Sequence, residues 1–284
     1  MHDGPGTRTT IFFKGCPLRC IWCHNPETQS TKNEIMYYPQ KCIGCGICAD
    51  VCDKNAHSFS NLGHRICREE CKGCGACAEN CPSGALETAC DMMSVNEIMD
   101  VVSKDAAFYG SKGGITLSGG EPLIHKDGAI ALLTACRQSG IGTAVETCGY
   151  FDGALLEALA PLTDIMLWDV KDTNDARHIQ NTGVSNKIII DNLCLADSLG
   201  IKTVMRCIMI NEINMDKEHY DAVAAIYGSL KNCVSVELIP YHAYGGSKAV
   251  AIGRTDNGRR EWIPSADSIE SVKEYLKYKG VSVR

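Results

Sequence analysis

Three cysteines, Cys16, Cys20 and Cys23, stand in the spacing C-x3-C-x2-C. Three thiolates in so short a loop can hold three irons of a [4Fe–4S] cluster, and the fourth iron of the cubane is then left without a protein ligand. An open iron can bind a substrate or cofactor, which is what separates a catalytic cluster from an electron wire. Trp22 precedes the third cysteine and is placed to shield such a cluster or to stack on an adenine. The spacing leaves two alternatives open. Zinc takes four closed ligands, with His24 as the fourth donor, and a redox-active thiol pair needs only two of the three.

Two further runs follow. Cys42, Cys45, Cys48 and Cys52, then Cys71, Cys74, Cys77 and Cys81-Pro82, repeat C-x2-C-x2-C-x3-C with a period of 29 residues. This is the bacterial ferredoxin run, in which the fourth cysteine of each run ligates the other cluster. The expected ligand sets are therefore Cys42, Cys45, Cys48 and Cys81 for one [4Fe–4S] cluster, and Cys71, Cys74, Cys77 and Cys52 for the other. Gly44, Gly46, Gly73 and Gly75 let backbone amides approach the sulfides. Asp53 follows Cys52 where the motif expects proline, and Cys67 is a competing ligand. The runs define a module at residues 34–93, inserted between 1–33, which carry the first cysteine loop, and 94–284.

Seven more cysteines (Cys67, Cys90, Cys136, Cys148, Cys194, Cys207 and Cys233) are dispersed, most of them among apolar neighbours, and read as core thiols. Eighteen cysteines in 284 residues are not a disulfide scaffold: the chain is long enough to build a core without staples and shows no signal peptide or apolar span. Free thiols at this density point to a reducing, anaerobic cytoplasm. The formal net charge of −6, with no lysine- or arginine-rich run, argues against nucleic acid as a partner, and nothing reads as a membrane helix.

Outside the module, strand-like runs alternate with helical ones. Strands are expected at 9–14, 114–118, 142–146, 165–169, 202–208 and 234–239. Helices are expected from the capping box at Ser94-Val95-Asn96-Glu97 and over 127–139, 152–160, 191–199, 216–230 and 265–279. Strands separated by helices argue for parallel βα units, and about six of them suit a partial (β/α)6 barrel, whose chemistry gathers at strand C-termini. Polar residues fall at those ends: Gly119-Gly120-Glu121-Pro122, Glu146-Thr147-Cys148-Gly149, Asp169-Val170-Lys171, Arg206 and His242. Gly245, Gly246, Ser247 and Lys248 read as a loop, either solvated or in contact with a partner.

Taken together these motifs resemble the radical S-adenosylmethionine superfamily, and more narrowly its glycyl-radical-enzyme activating enzymes. His2-Asp3-Gly4-Pro5-Gly6-Thr7-Arg8-Thr9-Thr10, running into Gly15-Cys16-Pro17-Leu18-Arg19-Cys20-Ile21-Trp22-Cys23-His24-Asn25-Pro26-Glu27, matches that family's opening signature. Gly119-Gly120-Glu121-Pro122, Asp169-Val170-Lys171 and Pro240-Tyr241-His242 match its later motifs. The resemblance covers essentially the whole chain. The double insert resembles the subgroup with two auxiliary clusters, an insert that pyruvate formate-lyase activase lacks. Relatives usually carry a dozen or more residues before Asp-Gly-Pro-Gly, so the resemblance implies a first strand shortened at its start.

The resemblance implies three [4Fe–4S] clusters and S-adenosylmethionine, with Cys16, Cys20 and Cys23 holding the catalytic cluster. Reductive cleavage yields a 5′-deoxyadenosyl radical, which abstracts a glycine Cα hydrogen on a partner glycyl radical enzyme. A flavodoxin or ferredoxin-type donor supplies the electron. Gly119, Gly120 and Glu121 would hold the methionyl amine, and Trp22, Cys23 and His24 the adenine. Asp169, Val170, Lys171, Arg206 and His242 would orient ribose, carboxylate or sulfonium, and Glu146, Thr147 and Asp169 a monovalent cation. Candidate partners by resemblance are choline trimethylamine-lyase, glycerol or propanediol dehydratase, hydroxyproline dehydratase and arylacetate decarboxylases. A radical S-adenosylmethionine enzyme acting on a small molecule, and an iron–sulfur electron-transfer protein, are the competing functions.

Overall fold

The computed structural model describes residues 3–61, 63–256 and 258–284; His2 of the opening signature lies outside them. Its strands are β1 (Arg8–Phe13), β2 (Ile35–Tyr37), β3 (His57–Ser60), β4 (Gly63–Ile66), β5 (Leu86–Thr88), β6 (Gly114–Gly119), β7 (Gly142–Thr147), β8 (Ile165–Val170), β9 (Thr203–Met209) and β10 (Cys233–Pro240). Six of these form one sheet in the order β1-β6-β7-β8-β9-β10. Every pairing in it is parallel. A parallel sheet needs a crossover between neighbours, and helices supply them. All six strands expected from the alternation are present, each within one or two residues of its expected ends.

The helices are α1 (Ile47–Asp50), α2 (Ala76–Glu79), α3 (Val95–Tyr109), α4 (Lys126–Gln138), α5 (Leu155–Leu159), α6 (Asp175–Thr182), α7 (Lys187–Ser198), α8 (Lys217–Ser229), α9 (Gly245–Ala251) and α10 (Ala266–Tyr278). The Ser94 capping box opens α3 as expected, with the Ser94 N–H donating to Glu97 at 2.7 Å. The segment expected to be helical at 152–160 contracts to α5 and a 3₁₀ turn at Ala160–Leu162, where Pro161 cannot continue an α-helix. Outside residues 34–93, two helices were not expected. α6 is polar, without an apolar stripe, and buries His178, Asn181 and Thr182 instead. α9 replaces the loop expected at Gly245–Lys248: its glycines are there for close packing rather than for a turn. A Cβ added at Gly245 would lie 2.3 Å from the Cys23 carbonyl oxygen.

The main core lies between the sheet and its helices and includes Leu117, Leu133, Val145, Trp168 and Met205, all fully buried. A second cluster, Trp22, Ile210, Tyr241 and Trp262, sits behind the first cysteine loop. A third, Ile35, Cys48, Cys77 and Leu86, belongs to residues 34–93. There β2 pairs antiparallel with β5, and β3 with β4. α1 and α2 repeat one local design: each follows a left-handed glycine (Gly46, φ 82°; Gly75, φ 90°), a conformation open to glycine without steric cost. Glu34 fastens this region to the rest of the chain through Lys14, just after β1, at 2.9 Å and Arg254 at 3.1 Å.

Candidate active site

β1 delivers the chain into the Cys16–Cys23 loop at the C-terminal end of the sheet. Backbone bonds hold the loop on both sides. Gly15 and Cys16 donate to Thr28 and Gln29, and Arg19 and Ile21 donate to Thr182 and Asn181 at the end of α6. The short polar helix that periodicity missed is thus one wall of the cysteine loop. Burial pushes the Cys20 thiol up to about 12 and raises Cys23 as well. Thiols in such a setting become thiolates when a bound cation supplies the charge, so the donor set fits a metal cluster. Lys171 faces the three cysteines closely enough to oppose the rise at Cys20 and Cys23 and to add to the lowering of Cys16 that Cys148 leads.

The Gly119-Gly120-Glu121 segment packs directly on this loop. Gly120 N–H donates to Phe13 O at 2.8 Å and Glu121 N–H to Gly15 O at 2.7 Å. A Cβ at Gly120 would lie 2.1 Å from Gly15 O, so the contact requires glycine. The Glu121 side chain is fully buried. It accepts from Leu123 N–H at 3.1 Å, Thr147 Oγ1 at 2.9 Å and Cys148 N–H at 2.8 Å. Burial raises its carboxyl pKa, and these donors oppose the rise. The sequence suggests an ammonium partner for Glu121, but here the carboxylate accepts from two backbone N–H groups and the Thr147 hydroxyl.

The remaining strand-end residues form a charged row. Arg206 on β9 pairs with Glu146 on β7 at 2.7 Å and approaches Asp169 on β8 at 3.9 Å. Asp169 also accepts from Lys171 at 2.6 Å, and Ser118 on β6 donates to Glu146 at 2.9 Å. Burial alone would lower the Arg206 and Lys171 pKa values, but the carboxylates around them raise both. Burial raises Glu146, against the pull of Arg206. Thr147 follows Glu146 on the strand, and its hydroxyl donates to Glu121 rather than to the row. Val170 points into the main core, leaving its backbone to face the row.

Trp22, Cys23, Tyr241, His242, Gly245 and Ala249 line a cavity of about 140 Å³ beside the loop. The Trp22 indole N–H is buried there without an acceptor among the described residues. His24 and His242 meet edge to face at 4.2 Å, and burial pushes His24 down to about 4. A wider trough of about 630 Å³ opens on the other side of Cys16, between Arg19, Lys32 and Arg254.

Residues 34–93 contain two smaller cavities. Cys42, Cys45, Cys48 and Cys81 line one; Cys52, Cys71, Cys74 and Cys77 line the other. Each holds three cysteines of one run and the fourth of the other. Cys67 lines neither and donates instead to Glu69 at 3.3 Å.

Three participants escaped the sequence reading. Cys148, read as a core thiol, sits close enough to Cys16 that the two thiols shift each other's pKa, Cys16 down and Cys148 up; its place in Glu146-Thr147-Cys148 at a strand end was the available signal. Glu237 joins the charged row 4.0 Å from Arg206 and is the one acid in β10. Ser118 ends an apolar run on β6 and carries no signal of its own.

The pattern of the Radical SAM superfamily matches residues 62–223, and that of a 4Fe-4S single cluster domain residues 2–63. The choline trimethylamine-lyase activating enzyme of Oleidesulfovibrio alaskensis is 40% identical over 89% of this chain and 84% of its own. The trans-4-hydroxy-L-proline dehydratase activating enzyme of Clostridioides difficile is 37% identical, covering 98% and 93%. The benzylsuccinate synthase activating enzyme of Thauera aromatica is 36% identical, covering 100% and 88%. Among solved structures, Streptococcus suis SuiB bound to its precursor peptide SuiA shares the fold, with TM-score 0.59 at 11% identity over 99% of this chain and 49% of its own. A domain of the pyruvate-formate lyase-activating enzyme of Bacteroides vulgatus does so with TM-score 0.52 at 24% identity, over 61% and 98%. With a strand-end cysteine loop on a parallel α/β sheet and relatives of this identity along nearly its whole length, the chain belongs to the radical SAM superfamily and, within it, to the activating enzymes of glycyl radical enzymes.

Proposed function

We propose that Cys16, Cys20 and Cys23 hold the cluster that this activating enzyme uses on S-adenosylmethionine, and that the protein substrate is a glycyl radical enzyme. The observation that carries the placement is the meeting of Glu146, Asp169, Lys171 and Arg206, from three strands, at the sheet end that bears the cysteine loop. A cluster held by Cys16, Cys20 and Cys23 would supply the one electron needed to split S-adenosylmethionine at C5′–S into methionine and the 5′-deoxyadenosyl radical that would take a glycine Cα hydrogen from the partner.

The chain's own residues bind, orient and exclude water. Lys171 and Arg206 keep their charges through buried carboxylate partners and so present fixed cations to a carboxylate or ribose. Trp22 and His242 line the adenine side, His24 meets His242 edge to face, and the Trp22 N–H is a donor with no acceptor among the described residues. Gly119 and Gly120 offer carbonyls toward the methionyl amine, while Glu121 acts as a positioning residue. The apolar cluster of Trp22, Ile210, Tyr241 and Trp262 backs the loop and keeps water from it.

Residues 34–93 are, in this proposal, an inserted module for two auxiliary [4Fe–4S] clusters, which places the chain in the two-auxiliary-cluster subgroup; the crosswise lining of the two cavities supports it. Residues 1–33 and 94–284 make up the barrel. The electron enters from a flavodoxin or ferredoxin-type donor. Eighteen free cysteines suit a reducing cytoplasm, and among the described residues no helix is long and apolar enough to cross a membrane.

Iron content tests this reading. Anaerobically reconstituted protein should hold about twelve irons. Replacing Cys16, Cys20 and Cys23 together by alanine should leave about eight and abolish S-adenosylmethionine cleavage. A triple variant that still cleaves the cofactor overturns the assignment.

A further inference from the structure

His57 on β3 and His64 on β4 face each other across the hairpin of the 34–93 region. His57 Nδ1 lies 2.8 Å from His64 Nε2, and His64 Nε2 lies 3.6 Å from Cys48 Sγ. Both rings are buried. His64 is clamped between aromatic neighbours, stacked on Phe59 at 4.7 Å and edge-on to Tyr37 at 4.7 Å. His64 lines the cavity of Cys42, Cys45, Cys48 and Cys81, and His57 lines the cavity of Cys52, Cys71, Cys74 and Cys77. The imidazole pair therefore spans the two cysteine sites.

The hydrogen-bond inventory limits what the pair can do. A neutral imidazole has one N–H donor and one acceptor nitrogen. One proton lies between His57 Nδ1 and His64 Nε2. A cluster-bound Cys48 is a thiolate, which only accepts. If the shared proton sits on His64 Nε2, one N–H serves two acceptors, His57 Nδ1 and Cys48 Sγ. The proton of His57 is then on its other nitrogen, on a ring that borders the second cavity. His64 Nδ1, which has no partner among the described residues, is left as an acceptor. The opposite tautomer would bury a donor there and leave the thiolate unserved.

We propose that the His57–His64 pair is a tuning element between the two auxiliary clusters, with His64 donating to the Cys48 thiolate and His57 fixing the tautomer that makes it a donor. A donor to a cluster sulfur stabilises the reduced, more negative cluster and raises its potential. The pair makes the two sites inequivalent, although their cysteine runs are identical in spacing. The inference rests on the assignment of Cys42, Cys45, Cys48 and Cys81 to one cluster.

The test uses reconstituted holoenzyme. His64→Phe keeps a ring for Tyr37 and Phe59 and removes the donor; His64→Gln keeps an N–H. Iron is counted, and each cluster is titrated potentiometrically by its paramagnetic signal. His64→Phe should make one auxiliary cluster about ten-fold harder to reduce (~59 mV for one electron) and leave the S-adenosylmethionine-responsive cluster unchanged. His64→Gln should recover part of the shift. In protein labelled with 15N-histidine, a weak nitrogen coupling to the reduced auxiliary cluster should vanish in His64→Phe. Twelve irons with unmoved potentials overturn the inference alone; about four irons in the unaltered protein overturn the auxiliary-cluster reading with it. If His64→Phe loses iron, His64→Gln and His57→Phe decide: unmoved potentials in both overturn the role. One zinc per chain that departs in His57→Phe also overturns it, since Cys48, His57 and His64 would then form a metal site of their own.

Discussion

Glu121 accepts the backbone N–H of Cys148 at 2.8 Å. Its own N–H donates to Gly15 at 2.7 Å, so a single residue joins the end of β7 to the cysteine loop that begins at the end of β1. A buried carboxylate is costly unless its oxygens are satisfied. Three protein donors satisfy this one, and the result is a fixed distance between two strand ends rather than a free anion.

Glu121→Gln tests that role. Oε2 accepts two donors and Oε1 one, so glutamine must turn its NH2 toward Leu123 N–H and set donor against donor. The loss of a charge-assisted bond and the new mismatch should cost about 1–3 kcal/mol, visible as a lower urea midpoint under anaerobic conditions. A variant of full stability whose S-adenosylmethionine affinity alone falls ten- to a hundred-fold would return Glu121 to the cofactor.

Arg206 is the hub of the charged row, facing Glu146, Asp169 and Glu237 from a mostly buried position. Arg206→Met removes the cation and leaves acids stranded in low dielectric. The penalty for breaking a buried pair from one side is about 3–5 kcal/mol. Adding Glu146→Gln should restore part of it. Additive losses in the double variant would show that Arg206 and Glu146 are not coupled.

Much of this arrangement was legible in the sequence because it is periodic or repeated. The cysteine spacings announced which cysteines would share a cavity, and the apolar runs ending in polar residues announced the strands and the face that carries the row. What stayed hidden lacked a period. α6 is polar and buries His178 and Asn181, so it has no apolar stripe to read. α9 begins with two glycines, which locally signal a turn; only tertiary packing on Cys23 shows why they are there. Two of the three donors to Glu121 are backbone N–H groups, which no side-chain pattern encodes.

The stability of the barrel should depend on pH through His219. This ring is buried on α8, with Nδ1 accepting from Thr173 Oγ1 at 2.9 Å and lying 3.8 Å from Asp172. Burial pushes its pKa down to about 4, more than Asp172 pulls it back up. The unfolded chain takes up this proton near pH 6.5, whereas the folded chain refuses it until about pH 4. Stability from His219 is therefore fully present above pH 6.5, falls as the pH drops toward 4, and is level below. The loss amounts to about 3 kcal/mol. Other carboxylates titrate in this range, so the measurement is the difference in urea midpoint between the unaltered protein and His219→Phe. That difference should shrink across the window. A difference that stays constant from pH 7 to 4 would mean that His219 is not the group responsible.

Gly245→Ala sets two effects of opposite sign against each other. In the interior of an ordinary helix, alanine is worth about 1 kcal/mol more than glycine. At Gly245 the new methyl would lie 2.3 Å from Cys23 O and 3.1 Å from His24 Cα. Those neighbours are backbone of the cysteine loop, held in place by its bonds to α6 and to residues 28 and 29, and they cannot swing aside as a flexible side chain would. Overpacking of this kind costs about 1–3 kcal/mol, so the steric term wins. The damage should be local: iron held by Cys16, Cys20 and Cys23 should be lost first, with about eight irons retained in the 34–93 region. Iron counts combined with S-adenosylmethionine binding read this directly. A Gly245→Ala protein that gains stability and keeps all its iron would show that α9 does not press on the loop.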